Sequence, residues 1–254
     1  MGEASQEKVA WITGAGKGIG RALARRLAHD GWNVAASARS EEDLGSLVEE
    51  CPPGRVRSYP LDITDLAATE TVLGRIEENM GRIDLAVLNA GTHTPVNAVG
   101  FSVETVRHLV ETNLMGTATS LSCIMPKFLA HGEGHIAVVG SLAGYRGLPT
   151  AAAYGASKAG VINMCEALKP ELELHGVRLT LINPGFVETP LTDKNDFPMP
   201  FLMPVEEAVE QIMRGLRRTA FEVTFPWRFA ILMKLLRLLP DRLFFAVTRR
   251  MVRR

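Results

Sequence analysis

Short apolar segments alternate with helical patterns along the first 185 residues of the chain. Runs of apolar, β-type residues predict strands at Val9–Thr13, Asn33–Ser37, Val56–Pro60, Leu85–Leu88, His135–Val139 and Arg178–Ile182. Amphipathic segments between them predict helices at Gly18–Asp30, Glu41–Glu50, Leu66–Met80, Thr105–Phe128 and Tyr154–His175. This alternation is typical of βαβ units, so the sequence predicts an α/β protein with a doubly wound parallel sheet and helices on both faces.

No internal repeat, low-complexity tract or flexible linker interrupts this pattern. It therefore predicts one Rossmann-type domain over residues 1–225, followed by an amphipathic helical extension at 226–254 that is not an independent domain. Such sheets bind ligands beyond the carboxyl ends of their strands. The segments that follow the predicted strands are rich in glycine, small polar and charged residues: Gly14–Gly20, Ala38–Ser40, Asp62–Ile63, Asn89–Gly91, Ser141–Gly147 and Asn183–Thr189.

The composition is that of an ordinary globular protein, since 46% of the 254 residues are hydrophobic and 22% are charged. Cys51, Cys123 and Cys165 lack paired spacing and are expected to be buried, reduced thiols in a reducing compartment. The histidines show no pairing typical of a metal site, so no metal is expected. The first residues are polar and do not resemble a signal peptide, and we expect a cytoplasmic protein.

Charge is unevenly distributed although the formal net charge is zero. The tail, residues 226–254, contains eight Lys or Arg and one acid, Asp241, whereas residues 1–225 contain 20 basic and 27 acidic residues. The chain lacks the overall positive charge typical of nucleic-acid-binding proteins, and no nucleic-acid partner is expected.

A glycine-rich loop, T-G-A-G-K-G-I-G at positions 13–20, follows the first predicted strand and opens the first predicted helix. Glycines there allow a tight turn and the close approach of a pyrophosphate to the helix N-terminus. The loop lacks the G-K-[ST] of a nucleoside-triphosphate site, and by itself also fits a simple tight turn. Its candidate cofactor-binding residues are Thr13, Gly14, Gly16, Lys17, Gly18, Ile19 and Gly20.

The end of the second predicted strand indicates which dinucleotide is bound. An acid at this position would bind the ribose hydroxyls and repel a 2′-phosphate, but the sequence there is Ser37-Ala38-Arg39-Ser40. The guanidinium of Arg39 suits a phosphate, and Lys17 would add a second cation. We therefore expect NADP(H), with NAD less favoured; the alternative is that both side chains are solvated surface cations.

Tyr154 and Lys158 form a Y-x-x-x-K motif, which places both on one face of a helix. A phenol with an ordinary pKa of about 10 is protonated at neutral pH. A lysine ammonium one turn away is expected to lower that pKa. Such a pair can give a proton to a carbonyl oxygen or take one from an alcohol, although the motif also occurs by chance.

Seven motifs over about residues 8–190 together resemble those of the short-chain dehydrogenase/reductase family. They are the glycine loop, L-D-I at 61–63, N-A-G at 89–91, Asn113, Ser141, Y-x-x-x-K and P-G-x-V-x-T at 184–189. The resemblance implies hydride transfer between a nicotinamide and a carbonyl or secondary alcohol. It implies that Tyr154 is the acid/base, that Lys158 tunes and orients it, that Ser141 polarises the substrate oxygen, and that Asn113 holds a water for a proton relay.

The same resemblance implies further cofactor contacts. Asp62 and the backbone of Ile63 would bind the adenine, although Asp62 alone also fits the N-cap of the helix after Thr64. In Asn89-Ala90-Gly91, which would lie against the cofactor, Leu88 replaces the first Asn of the family motif. Tyr154 and Lys158 would also contact the cofactor. The nicotinamide carboxamide would be held by the segment containing Pro184, Gly185, Val187 and Thr189.

Substrate specificity is expected to depend on the lid loop, residues 186–204, which is rich in Phe, Pro, Leu and Met. An apolar lid favours a small hydrophobic carbonyl or alcohol substrate; a proline-stiffened surface loop is the alternative. His93, Leu142, Tyr145, Arg146 and Leu148 are expected to contribute to the cleft, with a solvated Arg146 favoured over one facing an acid. A 3-oxoacyl-thioester reductase and a non-catalytic NADP-binding sensor or scaffold remain alternative functions.

The tail continues with an apolar segment at 227–239, interrupted by Pro240. Residues 241–254 then place Leu243, Phe244, Phe245, Val247, Met251 and Val252 on one arc, and Arg242, Arg249, Arg250, Arg253 and Arg254 largely on the other. Thirteen residues are too few to span a bilayer, which needs about 20. Three interpretations stay open: packing on its own domain, packing in the homodimer or homotetramer that the resemblance implies, or peripheral contact with the inner face of a membrane.

Overall fold

A computed structural model describes residues 7–194 and 197–252 and has a parallel seven-stranded sheet at its centre. The strands are β1 Val9–Thr13, β2 Asn33–Ser37, β3 Val56–Ser58, β4 Ile83–Leu88, β5 Gly134–Val139, β6 Val177–Pro184 and β7 Glu222–Phe225. Their order is β3-β2-β1-β4-β5-β6-β7, so the winding of the chain reverses between β1 and β4. Thr13 lies beside both Ser37 and Leu88. The loops that follow β1, β2 and β4 therefore leave the sheet at one edge.

Helices flank the sheet, and several begin at a side chain that caps the first turn. They are α1 Gly18–His29, α2 Glu41–Glu49, α3 Leu66–Met80, α4 Val103–Val110, α5 Gly116–His131, α6 Ala152–Leu174, α7 Val205–Leu216, α8 Trp227–Leu238 and α9 Asp241–Arg249. Ser40 accepts from Asp43 N at 3.1 Å at the start of α2. Asp65 accepts from Ala68 N at 2.9 Å at the start of α3. Each contact satisfies an amide that has no partner within the helix.

The core is divided into two apolar layers by the sheet. Alternate residues of β1 point to opposite faces, so that Ile12 packs with Leu23 of α1 and Ile212 of α7, and Trp11 packs with Ile124 of α5 and with α3 and α6 residues. The predicted doubly wound sheet with helices on both faces is confirmed. Cys51, Cys123 and Cys165 are buried free thiols.

Some elements differ from the predicted ones. The long helix predicted at 105–128 is α4 and α5 joined by a π-helical turn at Glu111–Met115. The third strand ends at Ser58, before Pro60, which has no amide hydrogen to donate. The sequence pattern did not predict α7 or β7.

The tail folds as α8 and α9 and packs partly on its own domain. Phe229, Ala230 and Met233 of α8 belong to the apolar layer beside β1 and α5, and Phe244 and Thr248 of α9 are buried. Arg253 and Arg254, predicted to lie on the basic arc, are outside the described residues. Among the described helices, none combines the length and the apolar character required to cross a membrane.

Candidate active site

A cleft of about 1880 Å³ runs along the carboxyl edge of the sheet from the glycine loop to the tail. Residues singled out in the sequence that line it are Gly14, Lys17, Gly18, Ile19, Arg39, Asn89, Gly91, Ser141, Tyr154, Lys158, Pro184, Gly185, Val187 and Thr189. The other predicted residues do not line it: Thr13, Gly16, Gly20, Asp62, Ile63, Ala90 and Asn113. The folded chain thus brings most of the predicted residues to one cleft.

The glycine loop is held against β4 by a compact set of hydrogen bonds. Thr13 Oγ1 accepts from Asn89 N at 3.0 Å and Ala90 N at 3.1 Å, while Asn89 Nδ2 donates to Thr13 O at 3.1 Å. A Cβ on Gly14, where φ is +66°, would lie 2.7 Å from Ala90 Cα, and a Cβ on Gly20 would lie 2.3 Å from Gly14 O. Side chains at these two positions would push the loop away from β4.

The start of α1 fits a pyrophosphate. Lys17 occupies the N-cap with extended backbone, no side chain caps the helix, and its first turn contains no acid. Amides of this turn lie at the cleft wall around Gly18 and Ile19, at the positive end of the helix dipole. A Cβ on Gly18 would lie 3.1 Å from the Thr189 side chain, so the lid loop also reaches this point.

Two cations lie near the end of β2, in different surroundings. Lys17 Nζ is 3.3 Å from Asp43 Oδ2, an ion pair in which the lysine is largely exposed and the carboxylate is partly buried. Arg39 lines the cleft and has no hydrogen bond or ion pair within the described ranges 7–194 and 197–252. Arg39 is therefore the more available of the two for a phosphate, because Asp43 forms an ion pair with Lys17, whereas Arg39 is only a minor cause of the lowered pKa of Asp62.

Arg21, which the sequence analysis missed, braces the glycine loop. Its guanidinium donates to Gly16 O at 3.1 Å, Asp43 O at 2.7 Å and Ser46 Oγ at 2.9 Å. These bonds fix the loop against α2. The sequence did contain a signal for this role, because Arg21 stands in the first turn of a helix, where acids are favoured.

Asp62 and Ile63 do not line the cleft. Asp62 Oδ1 accepts from Thr64 N at 3.0 Å and from Thr64 Oγ1 at 2.8 Å, and the first of these bonds is the main reason that the carboxyl pKa is lowered. The N-cap of α3 is Asp65, so the alternative prediction of Asp62 as that cap is wrong. Ile63 is buried.

Ser141, Tyr154 and Lys158 meet where β5 ends. Lys158 Nζ donates to Val139 O at 2.8 Å, and burial of the amine lowers its pKa to about 8. Burial raises the pKa of the Tyr154 phenol, and a hydrogen bond from Ser141 partly offsets this. Lys158 was expected to lower the pKa of Tyr154; instead burial of the phenol raises it, and it is Ser141 that opposes the rise.

Asn113 lies in the π-helical turn and is fully buried. Its Nδ2 donates to Thr92 O at 2.9 Å and Ser157 Oγ at 3.0 Å, and its Oδ1 accepts from Thr92 N at 2.7 Å. A Cβ on Gly91 would lie 3.2 Å from Asn113 Oδ1 and 3.5 Å from Lys158 Nζ, so the two side chains approach each other there. In this arrangement the Asn113 amide fixes the segment after β4.

Of the five further residues expected near the substrate, three line the cleft: His93, Leu142 and Leu148. The His93 ring lies edge-on to Tyr154, with the ring centroids 4.6 Å apart. The prediction that Tyr145 lines the cleft is wrong, because its hydroxyl turns away to donate to Glu222.

The expectation of a solvated Arg146 is also wrong. Its guanidinium donates to Leu236 O at 2.9 Å and to Asp241 Oδ1 at 2.7 Å, and lies 3.9 Å from the centre of the Phe244 ring. Arg146 therefore joins the end of α8 to α9. These contacts were not predicted because the partners lie about ninety residues away along the sequence.

The lid loop is fixed at its base and packs on the tail. Glu188 N donates to Met203 O at 2.9 Å and Met203 N to Phe186 O at 3.0 Å. The Phe186 ring stacks on Phe229 of α8 at 5.4 Å and meets Phe197 edge-on at 6.0 Å. The lid loop and α8 thus form one apolar wall at the far end of the cleft.

Comparison with known proteins identifies the family of this fold and site. A family model of short chain dehydrogenases matches residues 8–198. An uncharacterized oxidoreductase of Myxococcus xanthus is 41% identical over 246 residues, covering 96% of this chain and 97% of that protein. The 3-oxoacyl-[acyl-carrier-protein] reductase of Thermotoga maritima is 37% identical, covering 74% of this chain and 77% of that protein. Levodione reductase, a solved structure, superposes with a TM-score of 0.81 at 25% identity, covering 88% of this chain and 98% of that one. The chain belongs to the short-chain dehydrogenase/reductase family, oxidoreductases that bind nicotinamide cofactors.

Proposed function

We propose that this oxidoreductase uses NADP(H) to interconvert a carbonyl and a secondary alcohol on a hydrophobic substrate. The observation that carries the proposal is the meeting of Ser141, Tyr154 and Lys158 in one cleft with the glycine loop. A non-catalytic sensor would have no need of this trio, whose members can hold a substrate oxygen and move a proton to it.

Tyr154 is the proton donor in reduction and the acceptor in oxidation. Ser141 Oγ accepts from Ala143 N at 3.1 Å, and its hydroxyl, which bonds Tyr154 in this structure, would turn to the substrate oxygen when that oxygen is bound. Lys158, held at Val139 O, provides a nearby positive charge and a proton, and Asn113 keeps the Gly91 segment beside it. The bound nicotinamide supplies or accepts the hydride.

The preference for NADP(H) over NAD(H) rests on the end of β2. The planar guanidinium of Arg39 suits a 2′-phosphate, and it forms no hydrogen bond or ion pair within the described residues. Lys17 adds positive charge, although its ion pair with Asp43 reduces that contribution. In this proposal Asp62 and the Ile63 backbone bind the adenine, and Thr13, Gly16, Gly20 and Ala90 shape the loops around the dinucleotide. The nicotinamide would be bordered by Pro184, Gly185, Val187 and Thr189.

A hydrophobic substrate is supported by the far end of the cleft. Apolar side chains of the lid loop and α8 line it, including Phe186, Phe197, Phe229 and Met233. These surfaces exclude water from the reacting carbon and offer few groups to bind a charged substrate.

A 3-oxoacyl-thioester reductase is the second candidate. It is favoured by the 37% identity to the 3-oxoacyl-[acyl-carrier-protein] reductase of Thermotoga maritima. The chemistry would employ the same Ser141, Tyr154 and Lys158, and only the substrate would differ.

We also propose that the tail folds with residues 1–225 as one unit, because Phe229 and Met233 belong to the apolar layer that covers the sheet. The chain is proposed to act as a homodimer or homotetramer, as its resemblance to the family implies. Light scattering of the purified chain measures the mass, and a monomer would contradict the assembly.

A substrate panel tests the proposed function. Hydrophobic ketones, aldehydes, steroids and 3-oxoacyl thioesters are supplied separately while NADPH absorbance is followed. We expect turnover of hydrophobic ketones or aldehydes, with NADH less effective. Turnover restricted to the thioesters would favour the second candidate, and no turnover of any compound would contradict both.

A further inference from the structure

The outer face of α8 is apolar where a surface helix is ordinarily polar. Trp227, Ile231, Leu235 and Leu238 are 65%, 51%, 57% and 79% exposed. Their spacing of three and four residues aligns them in one stripe, on the side opposite the buried Phe229, Ala230 and Met233. The inner face already accounts for the packing of α8 on its own domain, and the exposed stripe does not take part in that packing.

Exposed apolar side chains also surround α9. Phe244 and Thr248 are buried, whereas Leu243, Phe245, Val247, Met251 and Val252 are exposed. Of the nineteen large apolar side chains that are exposed in the described residues, ten belong to 227–252. About half of the exposed apolar groups are therefore concentrated in a tenth of the chain.

Basic side chains flank this apolar surface. Across 7–194 and 197–252, the structure gives no ion pair with a carboxylate to Arg228, Arg237, Arg242, Arg249 or Arg250. The tail as a whole has eight basic residues against one acid, and the rest of the chain has the opposite excess. Such a surface is complementary to a negatively charged partner.

The charge argues against a second copy of the same face as the partner. A two-fold interface would place each face against itself, and the unpaired arginines of both copies would then repel one another. Anionic phospholipids satisfy both properties of the face, since headgroups pair with the arginines and acyl chains accept the apolar side chains. Helices of 12 and 9 residues cannot span the bilayer, so they lie in its surface.

The face is continuous with the mouth of the cleft. The cleft is lined by Leu232 and Leu236 of α8, by Phe245 and Val247 of α9 and by Met251 just after α9, and most of them are also exposed. An apolar molecule leaving a bilayer at this surface would meet a mostly apolar cleft wall that includes the Phe186–Phe229 stack.

We propose that α8 and α9 dock this protein on an anionic membrane surface, and that its hydrophobic carbonyl or alcohol substrate enters the cleft directly from the lipid. The first part is independent of catalysis. The second part rests on the proposed function.

Vesicle co-sedimentation of the full chain tests the docking. Vesicles of phosphatidylcholine mixed with phosphatidylglycerol are compared with vesicles of phosphatidylcholine alone. We expect at least about tenfold stronger binding to the mixed vesicles, decreasing with added salt. The double variant Ile231→Glu, Leu235→Glu should lose this binding, and Leu66→Glu, an exposed apolar position on α3, should retain it.

Two results would overturn the docking. One is wild-type protein that does not sediment with the mixed vesicles. The other is a double variant that binds them as wild type does. A drop in mass of the double variant by light scattering, together with no wild-type binding to lipid, would instead identify the face as a subunit interface. Equal thermal unfolding of the variants confirms that each has folded.

Substrate delivery is tested with one ketone dissolved in buffer and one long-chain ketone held in the mixed vesicles. The double variant should reduce the soluble ketone normally and the vesicle-held ketone at least about fivefold more slowly. If the double variant loses activity equally on both ketones, or keeps full activity on both, entry of the substrate from the lipid is wrong. Failure of wild type on both ketones would refute the proposed function, while the sedimentation result would still decide the docking.

Discussion

At the scale of single residues, desolvation controls the proton-carrying groups of the site. The buried amine of Lys158 has a pKa lowered to about 8, and burial raises the pKa of the Tyr154 phenol. Both changes favour the neutral form of the group. Because reduction requires a protonated phenol, the site is suited to donate a proton to a carbonyl oxygen near neutral pH.

The lowered pKa of Lys158 predicts a change in reduction rate near pH 8. Below about pH 8 the Lys158 amine is an ammonium. Above that pH the positive charge near Tyr154 is lost, although an ordinary lysine would still be charged. We expect kcat/KM for ketone reduction to fall above that pH. Lys158→Arg keeps its charge, so its remaining activity should lack this decrease. The same decrease in both proteins would contradict the assignment.

Arg39 is predicted to discriminate between the two dinucleotides. Arg39→Ala should weaken NADPH binding by about 1–3 kcal/mol, the loss of a charge-assisted contact, and should change NADH binding less. Arg75→Ala, an exposed arginine on α3, is the control and should change neither. Fluorescence titration with each nucleotide measures both affinities. An equal loss for NADPH and NADH would show that Arg39 does not contact the 2′-phosphate.

At the scale of elements, the apolar pattern predicted helices whose first turn is capped by a side chain close in sequence. The boundary of α3 was predicted from its apolar pattern, and Asp65 caps it. The π-helical turn around Asn113 could not be predicted, because it depends on bonds to Thr92 and Ser157 that are distant in sequence. Arg146 was misjudged for the same reason, since its partners on α8 and α9 are defined only by the folded tail.

Substitution of Gly20 tests the glycine loop, and substitution of Gly45 in α2 is its control. A Cβ on Gly20 would meet Gly14 O at 2.3 Å, whereas a Cβ on Gly45 of α2 would have nothing within 4 Å. Gly20→Ala should distort the loop and weaken NADPH binding at least about tenfold, while Gly45→Ala should stabilise α2 by about 0.5–1 kcal/mol. Normal NADPH affinity in Gly20→Ala would contradict the described loop.

Arg146 is predicted to stabilise the tail. Arg146→Ala loses hydrogen bonds to the end of α8 and the contact with the Phe244 ring, and should lower the free energy of unfolding by about 1–3 kcal/mol. Arg228→Ala, at the exposed start of the same helix, should change it by less than about 0.5 kcal/mol. Urea unfolding measures both variants, and equal values would refute the role of Arg146.

At the scale of the whole molecule, the order of the strands brings distant motifs into one cleft. The loops after β1, β2 and β4 form the half that we propose binds the dinucleotide, and those after β5 and β6 bring Ser141 and Gly185 to the other half. The strand and helix alternation predicted this arrangement. The shape of the substrate end was not predictable in the same way, because the stack of Phe186 on Phe229 joins the lid loop to a tail outside the repeating pattern.

The central claim is that Tyr154 transfers the proton in a carbonyl–alcohol interconversion linked to NADPH. Its most direct test is the turnover of Tyr154→Phe on a ketone that wild type reduces, with NADPH affinity measured in parallel. The variant keeps the ring and removes the hydroxyl, so turnover should fall at least about 100-fold while NADPH binding is largely unchanged. Full turnover in Tyr154→Phe would contradict the claim.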